Sequence, residues 1–104
     1  MVGRIQTYTH SDSITPNKGA AVVKVECDTD FAARTGGFIA FAETVAKYSY
    51  GACAQMVDKS SHGTGADAWE TIVIIFPDLE ELRVKLEKEL KEKIRVTEIV
   101  ILRL

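Results

Sequence analysis

The sequence is short of the residues that staple, anchor or charge a chain. Two cysteines among 104 residues, Cys27 and Cys53, form neither a Cys-x-x-Cys pair nor a disulfide framework. Free thiols in a reducing compartment are expected, and the expected location is the cytoplasm. No apolar run exceeds five residues, the length of Ile72 to Phe76, whereas a membrane span needs roughly 18. The N-terminus lacks the charged-then-apolar pattern of a secretory signal. With a net charge of −2 there is no basic footprint, so direct nucleic-acid binding is not expected. The two histidines, His10 and His62, lie in or beside loops without ligand spacing and are expected in solvent rather than on a metal. Gly36-Gly37 lacks the Lys-Ser/Thr that would follow it in a phosphate loop. No Ser-His-Asp or Cys-His nucleophile can be assembled from neighbours. No catalytic site, metal or cofactor is expected.

What is present is ordinary for a globular protein: 46% hydrophobic and 27% charged residues. The length predicts one domain over residues 1–104. A chain of this size can bury roughly 60–65% of the surface its unfolded form exposes, enough for a single core.

Arg4 to His10 reads as a strand with Ile5, Thr7 and Thr9 on one face and Arg4, Gln6, Tyr8 and His10 on the other. Ser11 to Gly19 has the composition of a turn closing a long hairpin. Ala20 to Cys27 is the second strand, with Val23, Val25 and Cys27 sharing a side. Cys27 continues this apolar alternation as a small buried hydrophobe. Thr35 is a suitable N-cap for a helix whose stripe is Phe38, Phe41, Val45 and Tyr48, stopped by Gly51.

No element is assigned to Ala52–Asp58, and Lys59 to Gly65 reads as a mobile loop. Asp67 to Phe76 is expected as a short helix ended by Pro77. A further helix begins with a capping-box variant, Asp78 and Glu81. It buries Leu79, Leu82, Leu86 and Leu90 and carries Glu81–Lys85, Glu87–Lys91 and Glu89–Lys93 as i,i+4 pairs on a solvated face. Arg95 to Leu104 is the last strand. Ile99 to Leu102 is apolar on both sides, which fits either an enclosed strand or an edge used by a partner. The sum is an α+β fold in the order β-β-α-(α)-α-β: a small antiparallel sheet of about three strands with helices on one face.

The candidate functional stretch is Cys27-Asp28-Thr29-Asp30-Phe31-Ala32-Ala33-Arg34, where a strand hands over to a helix. Three side chains that resist burial are followed at once by a large aromatic. Such a turn lifts a carboxylate and a phenyl ring together at the tip of a rigid element. A calcium loop starting at Asp28 calls for glycine at position 33 and glutamate at position 39; the chain has Ala33 and Ile39. Turn shaping through side-chain to backbone hydrogen bonds is the ordinary work of such aspartates, and it is the role expected of Asp28.

Gly3-Arg4-Ile5, Val22 to Cys27, Thr29-Asp30-Phe31-Ala32-Ala33-Arg34 and Phe38 together resemble the core of the elongation factor Ts family. The similarity is close from Gly3 to about Lys47, returns from Leu79 to Arg103 and is weak across Ser49 to Phe76. Ala32 stands where the family has valine, and the hairpin from His10 to Gly19 is longer than the family's common turn. The resemblance implies a binding module that contacts the GTPase elongation factor Tu and promotes GDP exchange in translation elongation. It implies Thr29, Asp30, Phe31, Ala32 and Arg34 as partner-binding residues. In the family the phenylalanine and its neighbouring aspartate enter the nucleotide domain of elongation factor Tu and disturb the magnesium site.

A single-copy core of this family also implies a homodimer. Family members usually carry an N-terminal three-helix domain, and many a second core half; this sequence opens at the core's first strand and has room for one core. The alternative is a structural or interaction subunit that binds elongation factor Tu or another partner without exchanging nucleotide.

Overall fold

In the computed structural model, which describes residues 2–54 and 60–103 without the side chains of 53, 54, 60–68 and 103, the hairpin forms first along the chain. Strands β1 (Val2–His10) and β2 (Gly19–Cys27) pair antiparallel from Val2 opposite Cys27 to His10 opposite Gly19. The single-turn helix α1 (Asp30–Ala33) and the long helix α2 (Gly36–Ala54) follow. Then come β3 (Ser60–Thr64), α3 (Gly65–Ile75), α4 (Asp78–Leu90) and β4 (Arg95–Arg103). The sheet is antiparallel throughout, in the order β1-β2-β4-β3. This is the α+β class, with the three expected strands nine residues long and a short fourth added.

The helices lie on one face. Ala21, Val23, Val25 and Cys27 of β2 and Val96, Ile99 and Ile101 of β4 point into a core completed by Phe38, Phe41, Val45, Ile72, Leu79, Leu86 and Ile94. Burying each of the larger side chains contributes about 1.5–3 kcal/mol. Among the described residues no helix is long and apolar enough to cross a membrane.

The register settles which face of β1 is inward. Arg4 stands opposite Val25, Gln6 opposite Val23 and Tyr8 opposite Ala21, and directly opposed residues share a face. The more polar side of β1 therefore faces the helices, while Ile5 is 58% exposed on the other. Its polar groups pair among themselves. Arg4 Nε donates to Gln6 Oε1 at 2.8 Å. His10 Nδ1 lies 2.9 Å from the Tyr8 hydroxyl, and the His10 ring stacks on Tyr50 at 4.9 Å. His10 is thus half-buried rather than free in solvent; the His62 side chain lies outside the described residues. At Gly19 a Cβ atom would overlap the Tyr50 ring, so this position has no room for a side chain.

Several local expectations change. Helix α2 does not stop at Gly51 but runs on to Ala54; a glycine within a helix costs only about 1 kcal/mol relative to alanine, which the surrounding packing can outweigh. Tyr48 is at the margin of the α2 stripe, 40% exposed, and the buried residues are Phe38, Phe41, Ala42, Val45, Ala46, Ser49, Tyr50 and Ala52. Ser60–Thr64, expected as loop, is a strand paired with β4. Its residues carry no apolar alternation, so the pairing rests on backbone hydrogen bonds to a strand distant in sequence. Residues 55–58 of the unassigned Ala52–Asp58 segment, and Lys59 of the expected loop, lie outside the described residues.

Strand β4 lies between β2 and β3, so Ile99 to Leu102 is not an edge; Ile99 and Ile101 are buried under the helices, while Leu102 is 62% exposed on the other face. Helix α3 ends before Pro77 as expected, since proline disfavours helical geometry in the residue before it. In α4 the N-cap is Pro77 without a side-chain bond, and Asp78 is the first helical residue, where a carboxylate still complements the helix dipole. Leu79 and Leu86 are buried and Leu90 is half-buried, but Leu82 is 43% exposed beside an open groove against α2.

Two carboxylates of α4, Glu80 and Glu87, are taken by Arg83. Its guanidinium pairs with Glu80 and with Glu87 at 3.0 Å, and donates to the Ile94 carbonyl at 3.1 Å. The hydrogen bonds from Arg83 hold the Glu80 carboxyl below the usual range, and the same contact raises Arg83.

Candidate functional site

Strand β2 ends at Cys27, whose buried thiol donates to the Thr29 carbonyl at 3.2 Å. Burial, and next the Glu92 charge, push that thiol's pKa up, so it is not an activated nucleophile. The chain then turns outward. Thr29 has extended backbone angles (φ −130°, ψ 151°), and its hydroxyl accepts the Ala32 N–H at 3.2 Å. Thr29 is therefore the N-cap of α1.

At about 3.6 residues per turn, a single helical turn places one pair of neighbours inward and the preceding pair outward. Ala32 and Ala33 enter the core, while Asp30, Phe31 and Arg34 face outward. Phe31 is 79% exposed. The expected pairing of a carboxylate with a protruding ring is thus present in the free protein. Ala32 differs from the other four candidate residues: its side chain is in the core and offers no contact surface. Its size matters there, because two alanines let α1 lie close against the sheet.

Asp30 is not a free carboxylate. Arg34 Nη2 lies 2.7 Å from its Oδ2, an i,i+4 pair whose side chains are both well exposed. Downstream, Thr35 closes α1 and opens α2. Its N–H and hydroxyl both donate to the Ala32 carbonyl, and its Oγ1 accepts from Phe38 N at 3.3 Å. The expected N-cap at Thr35 is present.

The turn before α1 is held from far along the chain. Glu92, just past α4, accepts the N–H groups of Asp28 at 3.1 Å and Thr29 at 2.9 Å on Oε1, and the Thr29 hydroxyl on Oε2. Asp28 Oδ2 in return accepts the Lys93 N–H at 3.2 Å. Asp28 thus shapes the turn, as expected, but through β4's approach rather than through its own loop. Glu92 went unseen in the sequence. Among charged neighbours after a helix, nothing marks it as the acceptor for a turn more than 60 residues away.

Two further surfaces stand out. The sheet face away from the helices carries Ile5, Val22 and Leu102, all exposed, with Val100 half-buried among them. At the far end of the β1–β2 hairpin, Ile14 is 88% exposed on a loop organised by Asp12. Asp12 Oδ1 accepts the N–H groups of Ile14 (2.8 Å) and Thr15 (2.5 Å), and its Oδ2 meets Lys18 Nζ at 3.2 Å. These backbone donors, with the Lys18 contact, lower the Asp12 pKa from 3.8 to about 2.

Among the described residues no group of three His, Cys, Asp or Glu side chains is arranged to hold a metal ion. No protein-family model and no curated protein matches this chain.

Proposed function

We propose that the chain is an elongation factor Ts-like binding module that contacts the GTPase elongation factor Tu through Asp30 and Phe31 and promotes release of GDP. The observation that carries this reading is the 79% exposure of Phe31 on a helix anchored by the buried Ala32 and Ala33. A protruding ring on a fixed base can act as a wedge. Burying it contributes about 1.5–3 kcal/mol, and that energy weakens bound nucleotide only to the extent that the wedge fits the nucleotide-free partner better. Thr29 and Arg34 flank the contact, and Ala32 supports it from beneath. The reading assigns no catalytic residue, cofactor or nucleic-acid contact to the chain and places it in the cytoplasm.

A homodimer belongs to the same proposal. Its support is the exposed sheet face of Ile5, Val22 and Leu102, a surface that a second copy can cover with the same surface.

The experiment is release of a fluorescent GDP analogue from elongation factor Tu at saturating protein, with Phe31→Ala as control. The expected coupling is about 1–3 kcal/mol, a 5–150-fold change in GDP affinity. Binding without acceleration favours the second reading, an interaction subunit without exchange activity. One observation speaks for that reading: the Arg34 contact at 2.7 Å already occupies the carboxylate expected to act on the partner's magnesium site. Absence of binding to elongation factor Tu overturns the first reading and restricts the second to another partner.

A further inference from the structure

We infer that Glu92 is a positioning residue for the Phe31 tip, fixing the direction of the ring without touching it. Helix α4 ends at Leu90 and is capped by Lys91, whose left-handed backbone (φ 57°, ψ 37°) turns the chain sharply while its N–H bonds to Glu87 O at 2.8 Å. That reversal puts the Glu92 carboxylate beneath the turn between β2 and α1. Its bonds to Asp28 N, Thr29 N and the Thr29 hydroxyl, with the return bond from Lys93 N to Asp28, join two turns separated by 63–65 residues. Hydrogen bonds to an ionised acceptor are about twice as strong as neutral ones.

The effect reaches Phe31 through one shared atom. Thr29 Oγ1 donates its proton to Glu92 and accepts the Ala32 N–H. The carboxylate thereby fixes the rotamer of the side chain that caps α1, and α1 begins with Asp30 and Phe31. Ala32 and Ala33 hold the inner side of α1 against the core, and Glu92 holds its leading end. With one support removed, the short helix keeps its inner contacts but loses its fixed entry angle. The ring then samples several directions, and binding has to order it.

The consequence for affinity rests on the proposed contact with elongation factor Tu; the consequence for the tip itself does not. Glu92→Ala and Glu92→Gln are therefore compared first by amide hydrogen exchange of the free protein. In Glu92→Ala, exchange at Asp28, Thr29 and Ala32 should rise about tenfold, the size expected for loss of charged hydrogen bonds. Val23 and Val25 should exchange as before. Glutamine keeps an acceptor at Oε1, so Glu92→Gln should restore most of the protection at Asp28 and Thr29. Unchanged exchange at the three tip amides, or faster exchange spread equally to Val23 and Val25, overturns the inference.

Affinity for elongation factor Tu is measured second, by calorimetric titration. Glu92→Ala should weaken binding about tenfold in the wild-type background and add nothing to Phe31→Ala, because residues acting through one contact are not additive. Additive losses overturn the positioning role. A wild-type chain that does not bind elongation factor Tu overturns the proposed function, while the exchange measurements still judge Glu92.

Discussion

Arg34 Nη2 reaches Asp30 Oδ2 at 2.7 Å across one turn of backbone, so the most prominent carboxylate of the candidate site leaves the free protein already paired. Both side chains are well exposed, and such pairs contribute only about 0–1 kcal/mol. The pair is cheap to break on binding, and it keeps a lone charge from standing beside the Phe31 ring.

Arg34→Ala should accordingly change folding stability by less than about 0.5 kcal/mol in chemical denaturation. It should increase the rate of GDP release at saturating protein, because Asp30 then meets the partner without first leaving Arg34. Equal or slower release at saturation would show that the pair does not restrain Asp30.

Phe31→Ala should leave the melting temperature unchanged, since a ring 79% exposed has little folding energy to lose. Binding to elongation factor Tu should weaken by about 2 kcal/mol or more, the size of an interface hot spot. Calorimetric titration and a thermal melt decide it together. A large fall in melting temperature with unchanged affinity would place Phe31 with the core residues.

The hairpin tip should respond to acid. The folded-state pKa of Asp12 is depressed to about 2 from 3.8, chiefly by the Thr15 and Ile14 N–H groups. For a depressed carboxyl, the stabilisation is fully present above the unfolded value and is lost as pH falls through the folded one. Amide protection at Ile14 and Thr15 should therefore hold above pH 4 and fall between about pH 4 and 2. Asp12→Ala should remove that pH dependence. Constant protection down to pH 2 would mean that the loop does not depend on the Asp12 carboxylate.

Ile5→Lys and Leu102→Lys should convert a dimer into a monomer without loss of stability, because both side chains lie on the sheet face the helices leave uncovered. Sedimentation equilibrium at tens of micromolar, about the range for a modest interface, reads the outcome. A wild-type monomer at that concentration counts against the homodimer, and a dimer unaffected by both substitutions moves its interface elsewhere.

The fold was legible where one face of an element is uniformly apolar. Val23, Val25 and Cys27 fixed the inward side of β2, and Phe38, Phe41 and Val45 fixed that of α2. It was not legible in β1, where neither the face of Ile5, Thr7 and Thr9 nor that of Arg4, Gln6, Tyr8 and His10 is uniformly apolar. The pairing register turned the second face inward, and register depends on the hairpin loop and the neighbouring strand rather than on β1 alone. Leu82 failed for a related reason. Its spacing in α4 is right, but the facing part of α2 presents Gly37, Ala40 and Thr44, too small to cover it, and the groove between the two helices stays open.

The sequence by itself determined the class of the protein and the presence of the tip: alternating β-branched strands, periodic helices, and a polar turn running straight into Phe31. These are local properties, carried by side chains within a few residues of one another. Only the tertiary structure decided which face of β1 is buried, that Ser60–Thr64 pairs as a strand, and that Ile99 to Leu102 lies on a strand paired along both edges. It also decided that Glu92 holds the turn before Phe31. The reason is common to all four. Each depends on backbone donors and acceptors that meet only after distant segments pack, and a hydrogen bond between segments leaves no periodic mark on either one.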